Sequence, residues 1–388
     1  MNKIYFDHNA TTPILGEVFD AMVPYLKDQW GNPSSIHWAG RGTRKAVEDA
    51  RESVCKLLNC QSVELIFTSS GTEGDNHAIK GLAYANKNKG NHIITTKVEH
   101  PAVLNTCKHL AKEGFEVTYL DVNQDGLLDL EALKSAITPK TILITVMFAN
   151  NETGVLFPIQ EIGEIAKERG VAFHTDAVQA VGKVPIDVTK LNVDLLTISG
   201  HKLYGPKGVG ALFVKRGVRL VPLIHGGHHE RNRRGGTENV AGIVGFGKAA
   251  DIALRDMDKE VEHLKGLKER LERGFAEKIP HIKVNGHPDK RLANTSNISF
   301  EFVEGESLLL NLDMKGIAAS SGSACTSGSL EPSHVLVSMG LSHELSHGSV
   351  RFSLGKSNTM EEIDYLIEIM PPIVERMRSM SPLYAGAK

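Results

Sequence analysis

Seven short apolar runs rich in β-branched residues, at 64–68, 92–96, 116–120, 141–148, 171–175, 194–199 and 211–214, constrain this chain more than any other feature. Between many of them lie stretches with helical periodicity, such as EGDNHAIKGLAYANK and IQEIGEIAKERG. Strands alternating with helices predict an α/β architecture, with a largely parallel sheet covered by helices on both faces. A sheet of that kind carries its ligands at the carboxyl ends of its strands. After Gly247 the pattern changes to a long, highly charged amphipathic helix with a solvated face, and a second, smaller domain is expected beyond it.

Composition narrows the partners. With 388 residues, 41% of them apolar, the chain can bury a sizeable core. Its 44 Lys and Arg against 46 Asp and Glu give no general attraction to nucleic acid or anionic membrane, so small molecules or proteins are the expected partners. The start, MNKIYFDHNATTP, has no apolar leader core, and no apolar run approaches the ~18 residues that would span a bilayer. The reading is a cytosolic, cytoplasmic protein. Four cysteines, Cys55, Cys60, Cys107 and Cys325, show no CxxC spacing and are expected as free thiols. Cys55 and Cys107 fall in helix-like patterns, as small buried hydrophobes do, whereas Cys325 lies in SSGSACTSGS, with loop composition on both sides.

Polar residues gather just beyond the strands. In TISGHKLYGPKGVG, Lys202 follows a strand, beside Ser199 and His201 and ahead of glycines. A lysine is ordinarily a solvated surface charge. A strand-end lysine among small residues also suits Schiff-base chemistry, which needs an amine whose charged form is disfavoured. The segment FTSSGTEGDNHAIKG leads from a strand through Ser69, Ser70, Gly71 and Thr72 into a helix, a layout that suits phosphate and equally an ordinary capped helix. Asp176 follows a strand with Gln179 three residues on; it could cap a helix or keep a pyridine nitrogen protonated. His100 stands after a strand and before Pro101, where its imidazole could lie over a ring.

These residues make the chain resemble the pyridoxal-phosphate-dependent cysteine desulfurases of the NifS/IscS type, within the fold-type-I class V aminotransferase superfamily. The likeness runs end to end, through YFDHNATTP, GNPSSIH, TSSGTEGDN, EHPAV, ANNETG, HTDAVQAVGK, SGHKLYGPKGVGAL, RRGGTENV, SSGSACTSGSLEPSHVL and VRFSLGK in order. It implies a large cofactor domain over 15–252 with a mainly parallel seven-stranded sheet. A smaller α+β domain would comprise 1–14 and 253–388 and carry a catalytic cysteine loop at about 319–333.

The resemblance also implies roles. Lys202 would carry the cofactor and His100 would stack on its ring. Asp176 would pair with the pyridine nitrogen, Asn151 and Gln179 would meet the ring and phenolic-oxygen edge, and Gly71, Thr72, Ser199 and His201 would hold the phosphate. Thr237 would reach the phosphate of a partner subunit, which implies a homodimer. Arg351 would bind the substrate carboxylate, for which a bidentate guanidinium is apt. Cys325 would take sulfur from L-cysteine as a persulfide, leaving alanine, and pass it to an iron–sulfur scaffold or other acceptor, with a transient cluster-ligand role also permitted. Small residues around it would let one thiol visit both a cofactor and an outside protein. A selenocysteine lyase or an aminotransferase is the related alternative.

Three other patterns compete. HELSH, His343 to His347, matches the zincin motif, but no third ligand follows at metzincin spacing; a short helix leading into the strand of Arg351 is the plainer reading. GIVGFGKA approximates a P-loop with Ala249 where Ser or Thr belongs, and is read as close helix packing. DVNQDGLLDLEA begins like a calcium loop but has Ala132 where a bidentate Glu is needed, and is read as a turn.

Overall fold

Each of the seven apolar runs forms a strand of one sheet. The structure is a computed structural model that describes residues 3–321 and 332–385. After a two-residue strand, β1 (Ile4–Tyr5), and helices α1 (Gly16–Lys27) and α2 (Trp38–Leu58), the sheet comprises β2 (Leu65–Thr68), β3 (His92–Thr96), β4 (Glu116–Leu120), β5 (Thr141–Thr145), β6 (Ala172–Asp176), β7 (Leu195–Ser199) and β8 (Gly210–Val214). Their order is β2-β8-β7-β6-β5-β3-β4. The pairs β3–β4, β3–β5, β5–β6 and β6–β7 are parallel, and β8 runs antiparallel to both neighbours. The run 141–148 ends early as a strand, although the Val146 and Phe148 amides still bond His174 O and Asp176 O.

The period-two geometry of a strand sorts alternate residues into two apolar layers. Leu65, Phe67, Ile94, Ile144, Leu196 and Phe213 join one buried cluster, while Ile66, Ile93, Leu143, Leu195 and Leu212 join another on the opposite face. Helices α3 (Gly71–Ala85) and α4 (Pro101–Lys112) feed the second layer. The first layer takes α2, α5 (Leu130–Ala136), α6 (Ile159–Arg169) and the first half of α7 (Val240–Lys278).

The charged helix starts earlier than its charge pattern announces, at Val240, because Asn239 caps it through Gly242 N at 3.1 Å. The stretch GIVGFGKA is its opening: a Cβ on Gly247 would stand 2.7 Å from Ala50 Cβ, so this glycine is there for close packing on α2. The distal half of α7 enters a third cluster through Leu264, Leu267, Leu271 and Phe275. That cluster lies over an antiparallel sheet of β9 (Ile282–Asn285), β10 (Thr295–Phe300) and β12 (Ser349–Ser353), beside the short parallel pair β1–β11 (Ile317–Ala318). Its other contributors include α8 (Gly305–Asp313) and α11 (Met360–Met380).

The rival motifs resolve into ordinary structure. HELSH forms α10 (His343–His347), five residues long and following α9 (His334–Ser338), and leads into the strand of Arg351. The calcium-like segment is a turn, in which Asn123 Oδ1 accepts from Asp125 N and Leu127 N and Gly126 adopts φ +81°. Among the described residues no helix is long and apolar enough to cross a membrane.

Candidate active site

Because β2, β3, β5, β6 and β7 point the same way, the residues that follow them meet at one edge of the sheet. Gly71 and Thr72 follow β2, His100 follows β3 and Asn151 follows β5; Asp176 ends β6 with Gln179 beyond it, and Ser199 ends β7 with His201 and Lys202 beyond it. All nine line a single cavity of about 310 Å³, within the size range of small-molecule sites.

Its phosphate-like end is the start of α3. Ser70 caps the helix, its Oγ accepting from Glu73 N at 3.1 Å, while Glu73 Oε2 accepts from Ser69 N at 2.8 Å. Ser70, Gly71 and Thr72 line the cavity there, so the positive end of the α3 dipole stands at it. Only glycine fits at position 71, since a Cβ would stand 2.7 Å from Val178 Cγ2. Gly74 likewise lets α3 settle on β7, where Thr197 Cγ2 would lie 2.6 Å from an added Cβ.

Acidic and imidazole groups occupy the middle. Asp176 is buried, its Oδ1 accepting from Val178 N at 2.9 Å, and burial pushes its carboxyl up to about 6. Asp75, one turn into α3, also lines the cavity; burial and the neighbouring Asp176 charge raise it well above the usual carboxylate range. The His100 Nδ1 accepts from Ala102 N at 3.1 Å, which leaves the proton on Nε2. Burial, helped by the charges of Lys202 and His334, lowers its pKa to about 4, so the ring is neutral. Donor atoms of Asp75, His100 and Asp176 lie within 4.8 Å of one another, the one such trio among the described residues. A cation such as a protonated heterocycle suits the two carboxyls.

Lys202 sits in the tight turn after β7, its Nζ donating to Asn9 O and, at 2.8 Å, to Ala10 O. Asn9 ties the cavity wall together. Its backbone oxygen also accepts from Gln179 Nε2 at 2.9 Å, and its Nδ2 donates to Asn151 O at 3.3 Å and Thr295 Oγ1 at 2.8 Å. Its Oδ1 receives Lys183 Nζ at 3.4 Å and Asn294 Nδ2 at 3.0 Å. His201 Nδ1 meets Thr11 Oγ1 at 3.1 Å, and burial with the Lys202 charge lowers its pKa to about 4. Ser199 Oγ is buried with no hydrogen-bond partner among the described residues.

Two expected residues, Arg351 and Thr237, lie apart from this cavity's lining. Arg351, on β12, points its guanidinium at Asp7 Oδ1 (2.7 Å) and Asn151 O (2.8 Å), so it borders the cavity from the second sheet. Thr237 is exposed in a separate recess of about 100 Å³, in the loop before α7. Cys325 lies outside the described residues. The chain on either side of it is anchored to the site. Ser320 pairs with Arg351 through both backbone groups, Ser333 Oγ donates to buried Glu152 at 2.5 Å, and His334 Nε2 meets Glu99 O at 3.0 Å.

Sequence reasoning overlooked Asp7, Asn9, Asp75 and Lys183. Asn9 and Asp7 stand in YFDHNATTP and Lys183 ends HTDAVQAVGK, so the quoted motifs held them. What assigns them a task is contact across the fold, and periodicity carries none of that.

Comparison with known proteins sets this arrangement in a family. The chain is 56% identical over 387 residues to the cysteine desulfurase IscS of Clostridium botulinum, covering 99% of this chain and 98% of that one. A solved structure titled NifS-like protein superposes with a TM-score of 0.91 at 37% identity, over 97% of this chain and 100% of its own. Another, titled SspA in complex with cysteine, superposes at 0.81 with 38% identity, over 92% and 100%. The aminotransferase class-V profile matches residues 4–366, which span the parallel sheet, its strand-end lysine and the second, antiparallel sheet, and the chain belongs to that family.

Proposed function

We propose that this protein is a pyridoxal-phosphate-dependent cysteine desulfurase, which takes the sulfur of L-cysteine onto Cys325, releases L-alanine and hands the sulfur to an acceptor. The observation that carries this reading is the meeting of a lysine, an open helix start, a buried carboxyl and a neutral imidazole in one cavity. Pyridoxal phosphate fits that set. Its phosphate matches the α3 amides, Ser199 Oγ (a buried polar atom without a protein partner) and His201, and its pyridinium matches Asp176. When bound, the cofactor supplies an electron sink for the pair released at the substrate Cα. The near-complete match to proteins named cysteine desulfurase, and the likeness to a structure solved with cysteine, support the choice of substrate.

The chain's own residues then have distinct tasks. Lys202 would hold the cofactor and, once displaced by substrate, take the Cα proton at Nζ, steered by the carbonyls of Asn9 and Ala10. His100, kept neutral by burial, would cover the ring without adding charge. Asp176, pushed up by burial alone, would be drawn back to carboxylate by a pyridinium beside it. Asn151 and Gln179 would hold the ring and phenolic-oxygen edge. Arg351 would receive the substrate carboxylate in competition with Asp7. Cys325, with a reference thiol pKa of about 8.5, needs the site to raise its thiolate fraction. Thr237, facing outward, would serve the cavity of a second copy in a homodimer. The acceptor, whether an iron–sulfur scaffold or another protein, and a place in the cytoplasm belong to the same reading. So do two domains, 15–252 against 1–14 with 253–388.

Mixing the purified protein with L-cysteine tests it. Sulfide and alanine should appear together; Lys202→Ala should lower the rate by about 10²–10⁴-fold, and Cys325→Ser should abolish sulfur transfer. Activity that survives Cys325→Ser would point to a selenocysteine lyase or an aminotransferase, and chelator-sensitive peptide cleavage to a zinc enzyme at HELSH. Protein that stays colourless after soaking in pyridoxal phosphate would overturn the reading.

A further inference from the structure

Lys183 stands four residues beyond Gln179, in the turn that follows β6. The residue as a whole is half-buried, but its amine end is enclosed, and burial with repulsion from Lys202 lowers its pKa to about 7. Lys183 is not part of the cavity lining, whereas Gln179 and Lys202 are. From behind that wall, Lys183 Nζ donates to Gln179 Oε1 at 3.1 Å and to Asn9 Oδ1 at 3.4 Å. On its other side the carboxamide donates from Nε2 to Asn9 O at 2.9 Å, the same oxygen that receives Lys202 Nζ.

A glutamine carboxamide can be turned over with little change of shape, so its partners decide which end faces where. While it is protonated, the Lys183 amine has donors only and can meet only Oε1. A backbone carbonyl accepts only and can meet only Nε2. With both partners present, one of the two orientations is satisfied at both ends and the other at neither. The satisfied one puts the NH₂ end next to Lys202, with its second N–H to spare.

We propose that Lys183 is a positioning residue of the active site, which fixes the Gln179 carboxamide so that its N–H, not its oxygen, is turned toward the phenolic oxygen of the bound cofactor. The inference rests on the pyridoxal-phosphate reading above. A donor there stabilises the phenolic oxyanion and so lowers the pH at which the cofactor's visible band loses its proton. An oxygen turned the same way would repel the oxyanion and raise that pH.

The experiment is a spectral pH titration of the pyridoxal-phosphate-loaded protein, comparing the native chain with Lys183→Met, Gln179→Leu, the double variant and Lys183→Gln. Lys183→Met and Gln179→Leu should each raise the midpoint by about one pH unit or more, as expected for losing a hydrogen bond to a charged group. If Lys183 acts through Gln179, the double variant should match Gln179→Leu within about 0.3 unit, the scatter within which independent effects are measured. Lys183→Gln, an uncharged donor, should restore most of the native midpoint. Additive shifts, or Lys183→Gln behaving like Lys183→Met, would show that the lysine acts by its charge on Lys202 and would overturn the proposal. Should Lys183→Met fail to fold, Gln179→Glu supplies a second handle: it retains Lys183 but has no N–H, and its midpoint should rise above that of Gln179→Leu. No rise would overturn the proposal equally. A native protein that shows no visible band at all sinks the cofactor reading and this inference together, whereas additive shifts in a protein with a normal band sink this inference alone.

Discussion

Glu99 shows how one residue's burial becomes a property of the whole chain. It is fully buried, with Oε1 accepting from Thr96 Oγ1 at 2.7 Å and Met147 N at 3.0 Å, and burial pushes its pKa up to about 8. A raised carboxyl binds its proton more tightly in the folded than in the unfolded chain. Its contribution is thus intact below the unfolded pKa of about 4.3 and lost as pH climbs to about 8. Glu99→Gln keeps an acceptor without the charge, so it should match the native chain near pH 5 and exceed it by about 2–4 kcal/mol above pH 8. Urea unfolding at the two pH values measures the difference. Gly71 makes a residue-scale claim of a steric kind. Gly71→Ala would press on Val178 Cγ2 at 2.7 Å, costing about 1–3 kcal/mol of stability. It should also weaken pyridoxal-phosphate binding at least tenfold in a fluorescence titration, because the methyl group stands at the helix start that would hold the phosphate.

At the scale of elements, the loop between β8 and α7 is held in place by a buried ion pair. Glu230, Arg231 and Asn232 all adopt positive φ, 45°, 56° and 65°, a conformation that costs roughly 1–2 kcal/mol for each side-chain-bearing residue. The turn persists because Arg51 of α2 grips Glu230 with two hydrogen bonds of 2.8 and 2.9 Å, and Phe67 N donates to the same carboxylate at 3.0 Å. Arg234, paired with Glu73, fixes the loop further along. Glu230→Gln leaves Arg51 buried with half its countercharge, and should cost about 3–5 kcal/mol. Hydrogen exchange should rise first in the peptide covering 224–239, which carries Thr237; unchanged protection there would refute the anchoring role. This loop was hard to read in advance. RRGGTENV is visible as a motif, but the partner that holds it, Arg51, lies 179 positions away.

The whole molecule is joined by α7, whose 39 residues run from the first apolar cluster into the third. At 1.5 Å per residue such a helix is roughly 58 Å long, enough to serve both sheets. Disturbing one end should therefore be felt at the other. Gly247→Leu would drive a side chain into Ala50, whose Cα lies 2.6 Å from the added Cβ. It should lower a single calorimetric transition by about 1–4 °C. Two separate transitions, with only one displaced, would refute the coupling. At this scale the two layers of the parallel sheet were legible beforehand, since β-branched runs of strand length alternate with helices. The second sheet was not, because β9, β10 and β12 come from 282–353 with antiparallel pairings that only contact can specify.

Local chemistry in the sequence by itself determined the strands, the caps at Ser70 and His100, and the placing of Asp176 at the end of a strand and Lys202 just beyond one, because each depends on residues within a few positions. Tertiary structure alone decided what those groups face. Asn9 meets Gln179 across 170 positions and Arg351 meets Asp7 across 344, and such pairings leave no period in the chain. They arise when parallel strands bring their ends to one edge and buried donors must find acceptors there.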